Sequence, residues 1–297
     1  MSNVSSVLYC APGPVTRRRQ RFWSLVAGLI ILAIFAAGIY AMYRNNIFND
    51  RWLVLVDPPR GQTAKNVWWD SLIWGGLVQG TLRAAVLAIP LAGILALILV
   101  ILRTAPRKAV ALPSTGVIEV FRGLPVLVLM MFGLFVFNFP PFVAVVFGLV
   151  IYNAAIIAEI LRAGLASLAK GQGEAGMAIG LRWSQNFFII MLPQAIRVMM
   201  PSLIAQLVVL LKDTSIGFII AYPELLRAFQ LNYNFFGHES RLPLFIATLG
   251  IYLVINFSIS RLATYVEARL RRRGQRAQLP TALAATVDPA SAGGGAR

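Results

Sequence analysis

The chain has 297 residues, of which 58% are hydrophobic and only 13% charged, and its formal net charge is +16. With a mean hydropathy of +0.74, it is too apolar for a soluble domain of this size, so we expect an integral membrane protein. The Lys and Arg residues lie in short clusters beside apolar runs, as they do in cytoplasmic loops of membrane proteins, and this distribution argues against nucleic-acid binding.

The composition also limits the chemistry that the chain can perform. A single cysteine, Cys10, and a single histidine, His238, exclude a disulfide framework and argue against a protein-ligated metal site. No Gly-Lys-Ser/Thr sequence occurs, so the chain has no P-loop for a nucleotide. No nucleophile, base and orienting group converge in sequence, and we expect neither an enzyme active site nor a bound cofactor.

The first predicted element is an apolar helix over residues 22–43, which follows a basic N-terminal segment, 1–21. At about 1.5 Å per residue it is roughly 33 Å long, enough to cross a bilayer. A signal peptide is the alternative, but the run exceeds the ~7 to 15 apolar residues usual there, so we expect a retained anchor. The positive-inside rule then places the N-terminus in the cytoplasm and residues 44–70 outside.

Three further spans are predicted before the middle of the chain. Residues 75–102 form the second span, and basic residues follow it. Residues 123–158 carry no charge over a length too great for one helix, and the sequence FNFPP at 137–141 interrupts them. We therefore expect a third and a fourth span joined by a tight outer turn.

The fifth and sixth spans are predicted at 198–222 and 242–260, joined by a polar outer loop at 223–241. Arginines after the sixth span place the C-terminus inside, which makes an all-α membrane protein with six transmembrane helices and both termini cytoplasmic. The Ala/Pro/Gly/Ser-rich tail at 270–297, above all from Gln278 onward, is expected to be disordered.

The cytoplasmic loop at 163–193, between the fourth and fifth spans, is interrupted by glycines. A helix starting near Gly173 would place one set of side chains on a single face by i, i+3, i+4, i+7 spacing. That set is Glu174, Met177, Ala178 and Leu181. Gly176 and Gly180 lie on another face, which has no side-chain bulk and would let a second backbone come close. A short amphipathic helix of this kind suits docking into a groove on a partner.

This loop resembles the EAA loop of ABC importer permeases, in Glu174, Ala175, Gly180 and the Leu-Pro pair at 192–193. It departs from that pattern at Gly176, where a second Ala is usual and where glycine costs about 1 kcal/mol of helix propensity. Further blocks resemble the polar amino acid uptake family, with its glutamate, glutamine and histidine permeases. They are IEVFRGLP at 118–125, AEILRAG at 158–164, KGQGE at 170–174, LPQA at 192–195 and LLKDTSI at 210–216.

The resemblance implies a type I ABC importer in the bacterial cytoplasmic membrane, with a five-helix permease core at 71–269 and the first helix as an addition. Its partners would be ABC ATPase subunits that bind ATP and Mg²⁺, a second permease subunit, either a copy or a paralogue, and an extracytoplasmic substrate-binding protein. Its cargo would be an amino acid, and the family similarity favours a polar or acidic one such as glutamate or glutamine. The residues implied to couple to the ATPase are Glu174, Ala175, Gly176, Met177, Gly180 and Leu181.

The fifth span contains a polar break at Lys212, Asp213, Thr214 and Ser215. Polar groups at that depth are tolerated only where they face protein or water, which makes the break a candidate substrate pathway. An amino acid needs both a donor and an acceptor, which Lys212 and Asp213 supply. In the alternative, these two pair with neighbours and fix the break without touching substrate.

Glu159 and Arg122 are further candidates for the substrate pathway because they are charges near the ends of spans. Glu159 precedes Arg162 by three residues, so a local ion pair at the inner interface is its expected role. Asn153 and Asn256 lie inside spans, where we expect hydrogen bonds between helices.

Two alternatives from other classes stay open at this point. A gradient-driven secondary transporter should show an internal repeat or membrane-embedded carboxylates along a path, and no repeat of the required length is visible. A membrane scaffold without transport activity would explain a docking helix but not the polar break in the fifth span.

Overall fold

The structure is a computed structural model that describes residues 14–44, 50–56, 68–169 and 171–285, and every regular element within these ranges is helical. The chain divides into two compact units, Met1–Asp57 and Pro58–Arg297. Parts of the predicted N-terminal, outer and C-terminal segments, and Lys170 of the KGQGE block, lie outside the described residues.

The first unit contains helix α1, Pro14–Arg44, and a short 3₁₀ turn, Asp50–Leu55. Residues Arg18–Arg44 of α1 are long and apolar enough to cross a membrane, as predicted for 22–43. The large apolar side chains of α1 are exposed along its length, Ile31 and Phe35 among them. Such a surface is compatible with lipid, whose tails are as apolar as the side chains.

The second unit is a bundle of helices connected by short turns. The helices are α2 (Ser71–Leu82), α3 (Arg83–Arg103), α4 (Lys108–Gly123), α5 (Val126–Phe135), α6 (Pro141–Ala166), α7 (Gly171–Ala178), α8 (Trp183–Gln185), α9 (Leu192–Asp213), α10 (Leu225–Phe236) and α11 (Arg241–Ala285). Of these, α2 is wound as a π-helix. Asn186–Met191 connects α8 to α9, and a 3₁₀ segment, Thr214–Ile220, extends α9.

Five helices in the described residues are long and apolar enough to cross a membrane, and a bent pair makes a sixth if it is one span. That pair is α4 and α5, and it differs from the predicted third span, which was expected to begin at residue 123. Helix α5 alone has ten residues, or about 15 Å, which is too short to cross a bilayer. Helix α4 precedes it at an angle of 98°, because Pro125 keeps Leu124 extended (ψ 139°) and so breaks the helix.

Helix α6 lies at the centre of the second unit and packs against α3, α5, α9 and α4. On α3, small residues recur every fourth position and are fully buried: Ala84, Ala88, Ala92 and Ala96. Small residues at this spacing let two transmembrane helices approach closely. Gly148 of α6 is similarly close to Met130 of α5, since a Cβ built on it would lie 2.8 Å from the Met130 nitrogen.

Two segments differ from the sequence predictions. The predicted outer loop at 223–241 contains helix α10, which Glu224 begins by accepting a hydrogen bond from the Arg227 backbone N–H. Every third or fourth residue of α10 is buried, and the helix packs on α2.

The predicted disordered tail is helical as far as Ala285, because Ala and Arg favour helices. Residues 286–297 lie outside the described residues.

Candidate coupling segment and translocation site

The predicted docking helix is α7, and it is shorter than the sequence predicted, ending at Ala178. The Leu181 N–H donates to the Gly176 carbonyl at 3.2 Å, and the Gly180 N–H donates to the Met177 carbonyl at 2.9 Å. This pair of bonds is a Schellman motif, and it requires the left-handed conformation that Gly180 has, with φ 86°. Gly180 therefore ends the helix, and Leu181 lies beyond it.

The two glycines do not form a shared docking face, which corrects the sequence prediction. Gly176 is buried against its own chain, whereas Gly180 has open space around it. A Cβ on Gly176 would lie 2.2 Å from Oδ1 of Asn186. The close approach explains why glycine stands where the resemblance led us to expect alanine.

The exposed surface of this region is therefore made by other residues. Glu174, Ala175, Met177 and Gly180 are exposed, Leu181 is partly exposed and Gly176 is buried. Met177 is 54% exposed, and Ile179, in the turn after the helix, is 77% exposed. Sequence reasoning missed Ile179, although an isoleucine between a helix end and a glycine was a visible signal. We call residues 174–181 the coupling segment.

The coupling segment is held by contacts to the start of the next span. Asn186 is buried, and its Nδ2 donates to the Gly173 carbonyl at 2.8 Å. Gln194 of α9 donates to the Gln172 side chain at 3.2 Å. Trp183 stacks on Phe187 with ring centroids 5.5 Å apart. These contacts fix α7 to its neighbouring span while leaving its outer surface free.

Glu159 is the centre of an ion-pair cluster near the same end of α6. It accepts hydrogen bonds from Arg103 at 2.6 Å and from Arg162 at 2.6 and 3.0 Å, and Arg122 lies 3.8 Å away. The predicted Glu159–Arg162 pair is thus confirmed. Sequence reasoning missed Arg103, whose position at the end of α3 was the available signal. The cluster ties α3, α4 and α6 together.

The polar break in the fifth span lies at the end of α9, where the helix tightens from α to 3₁₀ geometry. Thr214 is buried, and its hydroxyl donates to the Leu211 carbonyl at 2.7 Å. Ser215 is exposed, and its hydroxyl donates to the Lys212 carbonyl at 2.6 Å. Lys212 and Asp213 form no ion pair within the described residues.

The two parts of the predicted substrate pathway are not brought together. The 3₁₀ segment after the break packs near the start of α6, where a Cβ on Gly217 would lie 2.9 Å from a methyl group of Val145. Glu159 is fourteen residues further along the same helix, or about 21 Å away. Glu159 and Arg122 therefore belong to a different level of the bundle from residues 212–215.

Of the two predicted intramembrane asparagines, one joins two helices. Asn153 is fully buried on α6, and its Oδ1 accepts from Nε2 of Gln206 on α9 at 2.8 Å. Asn256 instead donates to the Tyr252 carbonyl within its own helix. In the described part of the chain, no group of three or more His, Cys, Asp or Glu side chains could hold a metal ion.

The second unit is thus a multi-pass helical bundle that presents a short helix and turn between two of its spans. The family described as "Binding-protein-dependent transport system inner membrane component" matches residues 88–272. The chain belongs to this family, and it is a multi-pass inner membrane protein. Membership does not favour the gradient-driven or scaffold alternatives.

Known proteins resemble the chain over most of this region. It is 39% identical over 231 residues to the glutamate transport system permease protein GluD of Corynebacterium glutamicum, covering 71% of this chain and 82% of that one. It is 33% identical over 205 residues to the probable glutamine ABC transporter permease protein GlnP of Bacillus subtilis, covering 67% and 94%.

Solved structures show the same fold. A crystal structure of an amino acid ABC transporter with histidines matches with a TM-score of 0.61 and 28% identity, over 68% of this chain and 95% of that one. An inward-facing MetNI methionine ABC transporter matches with a TM-score of 0.56 and 17% identity, over 67% and 96%. The second likeness concerns the fold alone.

Proposed function

We propose that the chain is the permease subunit of an ATP-driven importer that carries a polar or acidic amino acid such as glutamate or glutamine. The printed functions of its relatives support this cargo, since they include glutamate and glutamine transport permeases. The 28% identical structure is of an amino acid transporter. Because the sequence contains no P-loop, separate ATPase subunits bind ATP and Mg²⁺.

The observation that carries the coupling role is the exposure of Met177 and Ile179 beside a turn that Gly180 fixes. Exposed apolar side chains grouped on a short helix suit insertion into a groove of a partner. Glu174, which is also exposed, adds a charge to the same segment. We assign residues 174–181 to contact with the ATPase.

The orientation follows from charge. Arg103, Arg122 and Arg162 gather close to the end of α6 that leads into α7. Basic residues concentrate on the cytoplasmic side of membrane proteins. The coupling segment therefore faces the cytoplasm, both termini are cytoplasmic, and a substrate-binding protein docks on the opposite side. A second permease subunit, a copy or a paralogue, completes the pathway.

Lys212 and Asp213 remain our candidates for substrate contact in the fifth span. Neither forms an ion pair with a described residue, so the structure gives no support to the alternative in which they pair with neighbours. The hydroxyls of Thr214 and Ser215 instead bond to nearby carbonyls and stabilise the local turn.

Uptake by the assembled system tests the proposal. The chain is produced with its ATPase and binding protein in proteoliposomes, and uptake of radiolabelled L-glutamate and L-glutamine is measured with ATP inside. We expect uptake of at least one of them, abolished when the ATPase carries a P-loop Lys→Ala substitution. Uptake that continues with the inactive ATPase and stops with an ionophore would refute ATP coupling.

Variants of the coupling segment test its assignment. Glu174→Lys and Gly180→Asp should abolish uptake and weaken co-purification of the ATPase, while the protein still inserts in the membrane. The matched control is Gly171→Asp, because a Cβ there meets no atom within 4 Å and the position lies outside the Schellman turn. Wild-type uptake in both variants would remove this segment from the mechanism.

A further inference from the structure

A cavity of about 390 Å³ lies on the opposite side of the bundle from the coupling segment. It is bounded by α2 and the start of α3, by the first residues of α6, by the turn after the 3₁₀ segment and by α10. Helix α6 has 26 residues, so its ends are about 39 Å apart. The cavity meets α6 at Phe142, while the coupling segment follows its other end.

One helical face supplies the polar side of this cavity. Four lining residues are spaced four positions apart along the chain: Ser71, Gly75, Gln79 and Arg83. Residues at this spacing lie above one another on one side of a helix. The facing walls are mainly apolar, and Phe142 and Tyr222 contribute to them. The volume falls within the range of pockets that hold small organic molecules.

Arg83 is the charged group of the cavity, and it has no acidic partner among the residues that the structure describes. Its guanidinium carbon lies 4.5 Å from the centroid of the Phe142 ring. Every ion pair between described residues involves Glu159, and none includes Arg83. No described residue forms a hydrogen bond with its side chain. Arg83 is exposed and lines the cavity, so its charge is accessible to a ligand there that supplies negative charge.

The chemistry of the lining selects a carboxylate. The planar guanidinium of arginine matches a carboxylate with two parallel hydrogen bonds, and that of Arg83 lies over the Phe142 ring at the edge of the cavity. No acidic side chain lines the cavity, which disfavours a cationic ligand. Ser71 accepts a hydrogen bond from Asn232 at 3.0 Å, which leaves its hydroxyl hydrogen available. Gln79 adds an amide for the polar end of the ligand.

We propose that this cavity is the entry site of the permease and that Arg83 binds the carboxylate of the incoming amino acid. The inference rests on the proposed function, because it takes the cargo to be an amino acid. The inference adds to the proposed function a specific residue, Arg83, that receives the cargo on the side away from the ATPase. Gln79 and Ser71 then contact the remainder of the molecule.

Arg83→Gln and Arg83→Lys test the charge, and Gly75→Leu tests the space. A Cβ on Gly75 meets no atom within 4 Å, so a leucine side chain can start there without a clash and occupy space in the cavity that Gly75 lines. The matched control is Arg241→Gln, because Arg241 also stacks on an aromatic ring, 4.9 Å from the centroid of Tyr233, but does not line the cavity.

The measurement is the number of L-glutamate or L-glutamine molecules taken up per ATP hydrolysed, in proteoliposomes supplied with loaded binding protein. We expect Arg83→Gln and Gly75→Leu to lower this ratio at least tenfold while loaded binding protein still stimulates ATP hydrolysis. The ratio for Arg83→Lys should lie between the ratios of these two variants and that of wild type. The ratio for Arg241→Gln should equal that of wild type.

Three results would overturn the assignment. A wild-type ratio in both Arg83→Gln and Gly75→Leu would show that the cavity does not receive substrate. Loss of stimulated ATP hydrolysis together with uptake would assign Arg83 to assembly or docking. If the wild-type system takes up neither amino acid, the proposed function itself fails and this inference fails with it.

Discussion

Gly176 and Asn186 are in direct contact, and this contact fixes the coupling segment to the span that follows it. A methyl group on the Gly176 α-carbon would stand 2.2 Å from Asn186 Oδ1 and 2.8 Å from its Cγ. The same side chain donates to the Gly173 carbonyl at 2.8 Å. A single buried asparagine thus contacts two successive glycines of α7, and at Gly176 it leaves no room for a side chain.

Gly176→Ala should therefore loosen α7, although alanine is the better helix former. Overpacking of this kind costs about 1–3 kcal/mol, which outweighs the gain of about 1 kcal/mol in helix propensity. Faster hydrogen exchange at 171–178 would report the change. Gly171→Ala is the control, because a Cβ there meets nothing within 4 Å, and it should slow exchange or leave it unaltered. Unchanged protection in Gly176→Ala would contradict the contact.

The bond between Asn153 and Gln206 should be measurable as a coupling between two helices. Asn153→Leu leaves the Gln206 amide without its 2.8 Å partner inside the bundle, and we expect a loss of about 0.5–2 kcal/mol in the free energy of unfolding. The double variant Asn153→Leu/Gln206→Leu should lose less than the sum of the single changes. Unfolding in mixed micelles measures this double-mutant cycle, and strict additivity would show that the pair is not coupled.

Glu159→Gln should destabilise the end of the bundle near the coupling segment. It removes the negative charge that Arg103 and Arg162 share at 2.6 Å and leaves three arginines facing one another. The Glu159 side chain is 24% exposed, so solvent reduces the effect and we expect a loss of about 1–2 kcal/mol. A lower midpoint temperature of unfolding would show it.

The matched control for that change is Arg122→Gln. Arg122 lies 3.8 Å from Glu159 and is 44% exposed, so its removal should cost less than about 0.5 kcal/mol. Equal midpoint temperatures of unfolding for Glu159→Gln and Arg122→Gln would show that the cluster acts only as a diffuse surface charge.

Glu224 should make the stability of the protein depend on pH. It lies between two spans and is fully buried, and its Oε2 has no hydrogen-bond partner. Burial raises the pKa of this carboxyl to about 7, against three backbone N–H groups that lower it. A carboxyl whose pKa is higher in the folded state contributes stability below its ordinary pKa near 4.5, and that contribution is lost as the pH rises to about 7.

Glu224→Gln tests this dependence, because glutamine can still accept the Arg227 N–H bond and carries no charge. We expect the variant to be more stable than wild type at pH 8, by a difference on the order of 2–3 kcal/mol, and to lack the decline between pH 4.5 and 7. Glu239→Gln, at an exposed acid in the following turn, serves as the control. Parallel pH profiles for wild type and Glu224→Gln would exclude this role.

The sequence was sufficient to predict every span but the third, because long apolar runs between basic clusters are a strong signal. It predicted the break between α5 and α6 from the prolines at 140 and 141. It did not predict the bend between α4 and α5, since a proline at 125 is compatible with either a kink or an end. Helix α10 was missed because its apolar positions face α2 and are diluted by polar ones.

The position of the coupling segment was predictable from its motif, but its surface was not. Whether a glycine provides room for a partner or for its own chain depends on residues distant in sequence, as Asn186 shows at Gly176. The location of the cavity also depends on tertiary structure, because Arg83 and Phe142 come from different helices. Spacing along a chain cannot indicate which of several charges lacks a partner.

Helix α6 extends without interruption from Phe142, on the cavity wall, to Ala166, a few residues before the coupling segment. An unbroken helix is stiff over this length, so it transmits a push at one end as a tilt of the whole rod. Under the proposed function and the proposed entry site, movement of an ATPase bound to the coupling segment shifts the aromatic wall beside Arg83. Nucleotide turnover on one side of the membrane then opens or closes the entrance on the other, with no change of loop conformation required.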